Sequence, residues 1–437
     1  MKLQYVLVAA ASALTVSAQT PFQVGSFTNV TVSGLLAVGV KNSAISQGNS
    51  SAAQWANRNN IPSETHVDDN TSRLIITSTS KIADGWAVVF SCESRFTADT
   101  RPGDNATGGL GATVPVANAS GWADGDTYGG IVSPYGSIKV GKSTLYYTDG
   151  ISVGYLAPIL EAPGEGQRIW DANGLATFNI LSTYNTGMIY NGTYIPDFAK
   201  NHLGNTRSRN TIRYESPIFK PTGKDLLDFA IAWSKNAAGS ENEVVPTGAA
   251  SANNSSYAQG STTYFRARYN GYGFSALLSW MDQRFNGVAT TAINSELKAW
   301  RAGISYVPMK GLKFGVVYDD TTCVNGIRSA TGTPLDDAKR TAYSVPVSYL
   351  WGDHGVYVTY SKAGDTTSYK DSGATQINYG YDYALTKRAF VGVWVTQLKN
   401  AANGYYAPFL AGYSFGGSTV MKGETFTQFG VNLNYWF

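Results

Sequence analysis

Residues 426 to 437 alternate between two kinds of side chain. Phe429, Val431, Leu433, Tyr435 and Phe437 fall on one register, and Gln428, Gly430, Asn432, Asn434 and Trp436 on the other. A period of two is that of a β-strand with one apolar face. The pattern recurs along the chain. Near the start Val30, Val32, Leu36, Val38 and Val40 alternate with Thr31, Ser33, Ala37, Gly39 and Lys41. Tyr272, Phe274, Ala276, Leu278 and Trp280 alternate with Gly273, Ser275 and Ser279, and Ile377, Tyr379, Tyr381 and Tyr383 alternate with Asn378, Gly380, Asp382 and Ala384. One face is apolar with aromatics toward its ends, and the other is Gly, Ser, Thr, Asn and scattered charge.

This periodicity predicts sixteen strands, at 28 to 41, 72 to 80, 85 to 95, 127 to 133, 136 to 142, 207 to 216, 225 to 234, 260 to 269, 272 to 282, 297 to 307, 311 to 321, 339 to 351, 355 to 363, 375 to 385, 387 to 397 and 426 to 437. Most are near the ~9 to 11 residues that a tilted strand needs to cross a bilayer. The connections sort by length. Short turns follow the even strands, at Lys81 to Asp84, Pro134-Tyr135, Asn270-Gly271, Pro308 to Lys310 and Gly352 to His354, and long polar segments follow the odd ones. Two-residue links such as Asn270-Gly271 signal hairpins.

A soluble sandwich has no reason to sort its loops in this way or to place Tyr, Trp and Phe on the same face as Val and Leu. A membrane barrel has both reasons. Lipid cannot hydrogen-bond a sheet edge, so the sheet closes, with an apolar outer face, aromatic girdles and a wet interior. The fold class is therefore all-β, a 16-stranded antiparallel transmembrane β-barrel with long outer loops. At sixteen strands the lumen is wide enough for an aqueous channel. Composition agrees: only 14% of the 437 residues are charged and 13% are aromatic, with 47 Gly. Charge is scarce because every second strand residue faces lipid.

Met1 to Ala18 carries Lys2, an apolar run from Leu3 to Leu14 broken by Gln4 and Ser12, and small residues at Val16-Ser17-Ala18. That is the pattern of a secretory signal peptide, which leaves residues 19–437 as one barrel domain. Losing Lys2 lowers the formal net charge from +3 to +2, which gives no argument for nucleic acid as a partner. Cys92 and Cys323 are the only two cysteines, too few for an exported chain of this size to depend on a disulfide framework, and a single bridge between them stays open.

Several stretches resemble the general trimeric porins of Gram-negative outer membranes, in particular the beta-proteobacterial form. They are Asn29-Val-Thr-Val-Ser-Gly34, Ser72-Arg-Leu-Ile-Ile-Thr77 followed by Gly85-Trp-Ala-Val-Val-Phe90, Tyr135-Gly-Ser-Ile-Lys-Val-Gly-Lys142, Asn210-Thr-Ile-Arg-Tyr-Glu-Ser-Pro217, Tyr383-Ala-Leu-Thr-Lys-Arg388 and Gly430-Val-Asn-Leu-Asn-Tyr-Trp-Phe437. Each is short, but they occur in family order along the whole mature chain. The second strand departs from the family at Ile75 and Thr77, and Lys142 stands where an Arg is usual. The resemblance implies an outer-membrane homotrimer and a third loop, about 143 to 206, folded into the barrel. Gly34 and Ala37 to Gly39 supply small residues on the first strand that would suit close packing between subunits.

Alternation places Arg73, Arg95, Lys139, Arg213, Arg266, Arg268, Arg301 and Lys313 on the inner face, with Glu93, Glu215, Asp228, Asp319 and Asp382. The third loop holds Glu161, Glu165 and Asp171. Confined charges sort ions, so the expected constriction is Arg73, Lys139, Arg213, Arg266 and Arg268 on the wall facing Glu161, Glu165 and Asp171 on the loop. The expected function is a water-filled channel for passive diffusion of ions and small hydrophilic solutes, mildly anion-preferring. A channel specific for a sugar, nucleoside or organic acid is the alternative, and an adhesin or structural barrel a third reading. The lipid of the outer membrane is the other expected partner. Three histidines, His66, His202 and His354, have no second His or Cys at metal spacing, and no Gly-x-Ser-x-Gly elbow or phosphate loop occurs, so neither an enzyme nor a cofactor is expected.

Overall fold

The structure is a computed structural model, and it describes residues 22–24, 28–46, 63–69, 72–95, 123, 125–145, 180–181, 188–190, 193–195, 207–235, 259–286, 295–329, 334–406 and 422–437. The signal segment, 1–18, lies outside the described residues. Sixteen strands build the wall: β1 Thr28–Ser46, β2 Arg73–Ala83, β3 Trp86–Arg95, β4 Thr127–Ser133, β5 Gly136–Thr144, β6 Arg207–Glu215, β7 Leu226–Lys235, β8 Gln259–Gly271, β9 Phe274–Asn286, β10 Ser295–Met309, β11 Leu312–Arg328, β12 Pro334–Trp351, β13 His354–Ala363, β14 Ala374–Ala384, β15 Ala389–Asn400 and β16 Thr425–Trp436. Each pairs antiparallel with its neighbours, and β1 pairs with both β2 and β16. The sheet has no free edge. The last residue seals the seam: Gly34 N donates to Phe437 O at 3.0 Å and Phe437 N to Gly34 O at 3.1 Å.

The predicted alternation is the alternation of faces. On β13, Val356, Val358 and Tyr360 are exposed outward while Tyr357, Thr359 and Ser361 are buried inward. The outer face of this wall is apolar, as lipid requires. The inner face carries hydrogen-bonded polar pairs, including Ser344 with Ser361 at 2.8 Å, Gln376 Nε2 to Thr396 Oγ1 at 2.9 Å and Gln428 Nε2 to Ser43 Oγ at 2.9 Å.

Three expectations about the connections change. The hairpin between β8 and β9 turns at Tyr272-Gly273, with φ of 55° and 81°, two residues beyond Asn270-Gly271. Gly271 pairs with Phe274 in the strand, and the position needs glycine there because a Cβ would come within 2.6 Å of Asp225 Cβ and 2.7 Å of the Tyr269 hydroxyl. Tyr272 is held in its left-handed conformation by a 2.6 Å hydrogen bond between its hydroxyl and Thr222 Oγ1. The turn after β12 is Gly352-Asp353, and His354 opens β13, where its ring stacks on Trp351 and its Nδ1 lies 2.8 Å from the Tyr381 hydroxyl. Finally, the outer connection between β11 and β12 is only 329–333, because both strands continue past their expected ends. Their polar extensions, around Asn325 and Gly326, read as loop in composition, yet they pair with register shifts, and Asn325 N donates to Asp337 Oδ1 at 2.9 Å.

Cys92 and Cys323 are both buried, and neither is in a disulfide. The small residues of β1 serve the barrel itself. The Gly34 position lies against the Phe437 ring and the Arg73 carbonyl, Gly39 against Val431 and Asn432, and Ala37 is fully buried on the inward register. They form no outward packing patch.

Candidate functional site

The inner wall carries its charge in a repeated unit of two cations on one carboxylate. On β5 and β6, Lys139 and Arg213 are directly opposed in register. Glu215, two residues along β6 on the same face, lies between them, with Lys139 Nζ 2.7 Å from Oε2 and Arg213 Nε 2.9 Å from Oε1. The Lys139 ammonium also stands 5.0 Å above the Tyr128 ring, and the Arg213 guanidinium 5.9 Å above the Tyr264 ring. These aromatic faces hold the cations in place by their quadrupoles.

The second unit lies on β7 and β8. Arg268 grips Asp228 with two parallel bonds, Nε to Oδ1 at 3.0 Å and Nη2 to Oδ2 at 2.7 Å, and Arg266 Nη2 reaches Oδ1 at 3.1 Å. Bidentate geometry fixes both partners. The third unit lies on β10, β11 and β12. Arg301 Nε binds Asp319 Oδ2 at 3.0 Å, Arg340 Nη2 binds Oδ1 at 3.2 Å, and the Thr321 hydroxyl donates to Oδ1 at 3.0 Å. Arg73 on β2 is 3.6 Å from Glu93 on β3, one cation to one carboxylate. Lys41 and Lys313 are also buried on the inner face. Within these ion-pair units alone, seven cations meet four carboxylates, a local balance of +3.

The wall members expected from sequence, Arg73, Lys139, Arg213, Arg266 and Arg268, are thus all on the inner face, and the last four form one sector from β5 to β8. Glu161, Glu165 and Asp171 lie outside the described residues. Beyond its first residues, three short parts of the third loop are described, 180–181, 188–190 and 193–195. Ile180 and Leu181 are fully buried, and their carbonyls accept from the wall: Arg340 Nη1 to Ile180 O at 3.1 Å, Arg301 Nη2 to Leu181 O at 2.8 Å. Further on, the Met188–Tyr190 backbone pairs in parallel with Ile327 and Arg328 of β11 and antiparallel with Thr193–Ile195. Residues 180–181 and 188–190 of the segment after β5 therefore lie against the wall of β10 to β12.

Sequence reasoning passed over Arg340 and this seat. Arg301 and Asp319 were assigned to the inner face singly, because alternation tells face and not register. The signal for Arg340 was present, since it shares the inner register of β12 with Ala342 and Ser344. The inner face is also less polar than expected. Ile45, Leu277, Val317, Ala342, Ala363, Ala374, Leu398 and Phe426, all inward, join Ile180, Leu181 and Tyr406 in one apolar cluster. Inward apolar residues are needed where loops fold in against the wall. Among the described residues no group of three or more His, Cys, Asp or Glu is placed to hold a metal.

The sequence profile of the Gram-negative porins matches residues 6–403. A search of curated protein sequences finds no match. Among solved structures, the chain is similar to an anion-selective porin from Comamonas acidovorans, at 18% identity and a TM-score of 0.63, covering 94% of this chain and 100% of that one. It is also similar to OmpT, an outer membrane protein of Vibrio cholerae, at 11% identity and a TM-score of 0.55 over 96% and 100% of the two chains. The outer membrane channel DcaP of Acinetobacter baumannii matches at 12% identity and a TM-score of 0.53, again over 96% and 100%.

Proposed function

The chain belongs to the Gram-negative porin family, and from that membership we propose that its diffusion channel is weakly anion-preferring, with the β5 to β8 sector as its selecting wall. The protein is an outer-membrane channel for passive diffusion, and the family and the closed barrel mark it as a channel rather than an enzyme. Its solutes are ions and small hydrophilic molecules. The observation that carries the anion reading is the sharing of Glu215 and Asp228 by Lys139, Arg213, Arg266 and Arg268, four cations on two carboxylates. Fixed charge at the wall of a narrow passage enriches the counter-ion and depletes the co-ion. Loop residues Glu161, Glu165 and Asp171 complete the constriction in this reading, opposing the wall cations, Arg73 among them, and orienting dipolar solutes. The test is the reversal potential of single channels in a potassium chloride gradient. Anion sign supports the reading and cation sign ends it.

Export by a signal at residues 1–18, followed by the barrel at 19–437, completes the proposal. N-terminal sequencing of protein from the outer membrane would read Gln19 first; retention of Met1 would refute it. Assembly as a homotrimer is supported by the distribution of outward aromatics. Interfacial belts need amphipathic rings at lipid headgroup level, and β7 to β15 supply them with Trp233, Trp280, Trp300, Tyr343, Tyr360 and Tyr381. The outward face of β1 to β5 is richer in aliphatic residues, with Val40, Val88, Ile131, Ile138 and Val140 exposed beside Trp86, Phe90 and the turn residue Tyr135. A sector with so few aromatics suits a protein neighbour. Mass measurement of the detergent-extracted particle at three chains supports this, and a single chain would overturn it.

A further inference from the structure

We infer that Arg301, Asp319 and Arg340, with Tyr406 of the last outer loop, are positioning residues that hold the third loop at Ile180 and Leu181 against the β10 to β12 wall and so set the width of the open passage. The inference rests on the porin reading and goes beyond it, because the selecting wall lies on β5 to β8 and this seat on β10 to β12.

The seat is built before the loop reaches it. Asp319 stands on the middle strand, directly opposite Arg301 in register, and uses one oxygen for each arginine, with the Thr321 hydroxyl on Oδ1 as well. The two guanidiniums are thereby held on either side of β11, each with a donor turned toward the lumen. Those donors take two successive carbonyls of the loop, Ile180 O and Leu181 O. All three charged groups are 0 or 1% exposed. Ionised groups this deep need nearly complete hydrogen bonding to be tolerated, and the loop backbone supplies part of it. Charge-assisted bonds to backbone carbonyls hold the chain path whatever side chains the loop carries.

Two further contacts fasten the same segment. The side chains of Ile180 and Leu181 are fully buried among Leu277, Val317 and Ala342 of the wall. On a wet lumen face those residues would be costly, so their presence there is explained by a loop that covers them. Tyr406 of the last outer loop joins the same buried cluster. Asn400 clamps its backbone, Tyr406 N to Asn400 Oδ1 at 2.7 Å and Asn400 Nδ2 to Tyr406 O at 2.9 Å, and its hydroxyl hydrogen-bonds to Arg340. Arg340 therefore joins the third loop, the shared carboxylate and the last outer loop. The parallel pairing of Met188–Tyr190 with Ile327 and Arg328 adds a backbone attachment on the same wall.

The test compares the trimmed seat with a change on the other wall. Purified wild type, Arg301→Gln/Arg340→Gln, Asp319→Asn and Arg268→Gln are recorded as single channels, and the same proteins are assayed for uptake of neutral oligosaccharides of graded size into vesicles. The seat variants are expected to close at least several-fold more often at a given voltage and to shift the size limit for uncharged solutes. Arg268→Gln should move the reversal potential without raising the closing frequency. Seat variants that form barrels and match wild type in both closing frequency and size limit would overturn the inference. Tyr406→Phe removes one hydrogen bond and keeps the ring, so it serves if the charge variants do not assemble: closing at least twofold more frequent is expected, and unchanged closing overturns the proposal. Wild type without conductance would instead refute the channel reading itself.

Discussion

Replacing Glu215 by Gln keeps the side-chain volume and removes the negative charge that Lys139 and Arg213 share at 2.7 and 2.9 Å. The net charge of that unit rises from +1 to +2. At a water-like dielectric, an ion passing about 7 Å away feels roughly 0.6 kcal/mol from the added charge. Screening at 0.1 M salt, where the Debye length is about 10 Å, halves this to roughly 0.3 kcal/mol. Anions are then enriched by a factor of about 1.7 and cations depleted by the same factor, so the chloride to potassium permeability ratio rises about threefold. At 1 M salt the Debye length is about 3 Å and the shift nearly vanishes. The assay is the reversal potential of the purified variant and wild type at both salt levels. No shift at 0.1 M, a shift toward potassium, or an equal shift at 1 M would refute the reasoning.

Two other perturbations separate causes of stability. Gly311→Ala puts a Cβ at φ +86° against the Leu350 carbonyl, whereas Gly352→Ala meets nothing within 4 Å at φ +54°. The left-handed strain alone is about 1–2 kcal/mol and overpacking adds about 1–3 kcal/mol, so heat-dependent gel migration should show Gly311→Ala unfolding at clearly lower temperature than Gly352→Ala; equal midpoints would count against the packing argument. Asp225, in the turn before β7, accepts hydrogen bonds from Thr222 N and Oγ1 at 2.8 and 2.9 Å, which hold its carboxyl below the usual carboxylate range. Its stabilisation is complete above the ordinary carboxylate pKa and is lost as pH falls through the lowered one. Thermal midpoints should accordingly fall more on acidification in wild type than in Asp225→Asn, and parallel curves would dismiss the effect.

The barrel was legible in the sequence because two-residue alternation reports face directly, and face decides between lipid and lumen. It placed sixteen strands and put Lys139, Arg213, Arg266 and Arg268 inward, where they lie. Alternation has no information on register, so it could not join Arg301 to Asp319, or Glu215 to the two cations it serves. Composition misled at 322 to 338, where polar strand extensions resemble loop, and at Asn270-Gly271, where a turn-forming pair sits in the ladder with no room for a Cβ beside Asp225 and Tyr269. The apolar collar inside the lumen was hidden for a related reason. Ala342, Ala363 and Leu398 obey the inward register but contradict the polar rule for it, and only the arrival of Ile180 and Leu181 explains them.

The central claim, an open diffusion channel whose basic wall favours anions, is met most directly by wild-type single channels under a tenfold potassium chloride gradient. The account predicts steady ohmic conductance and a reversal potential of anion sign, well short of the ~59 mV of perfect selectivity for a monovalent ion. A cation-signed reversal potential would contradict it.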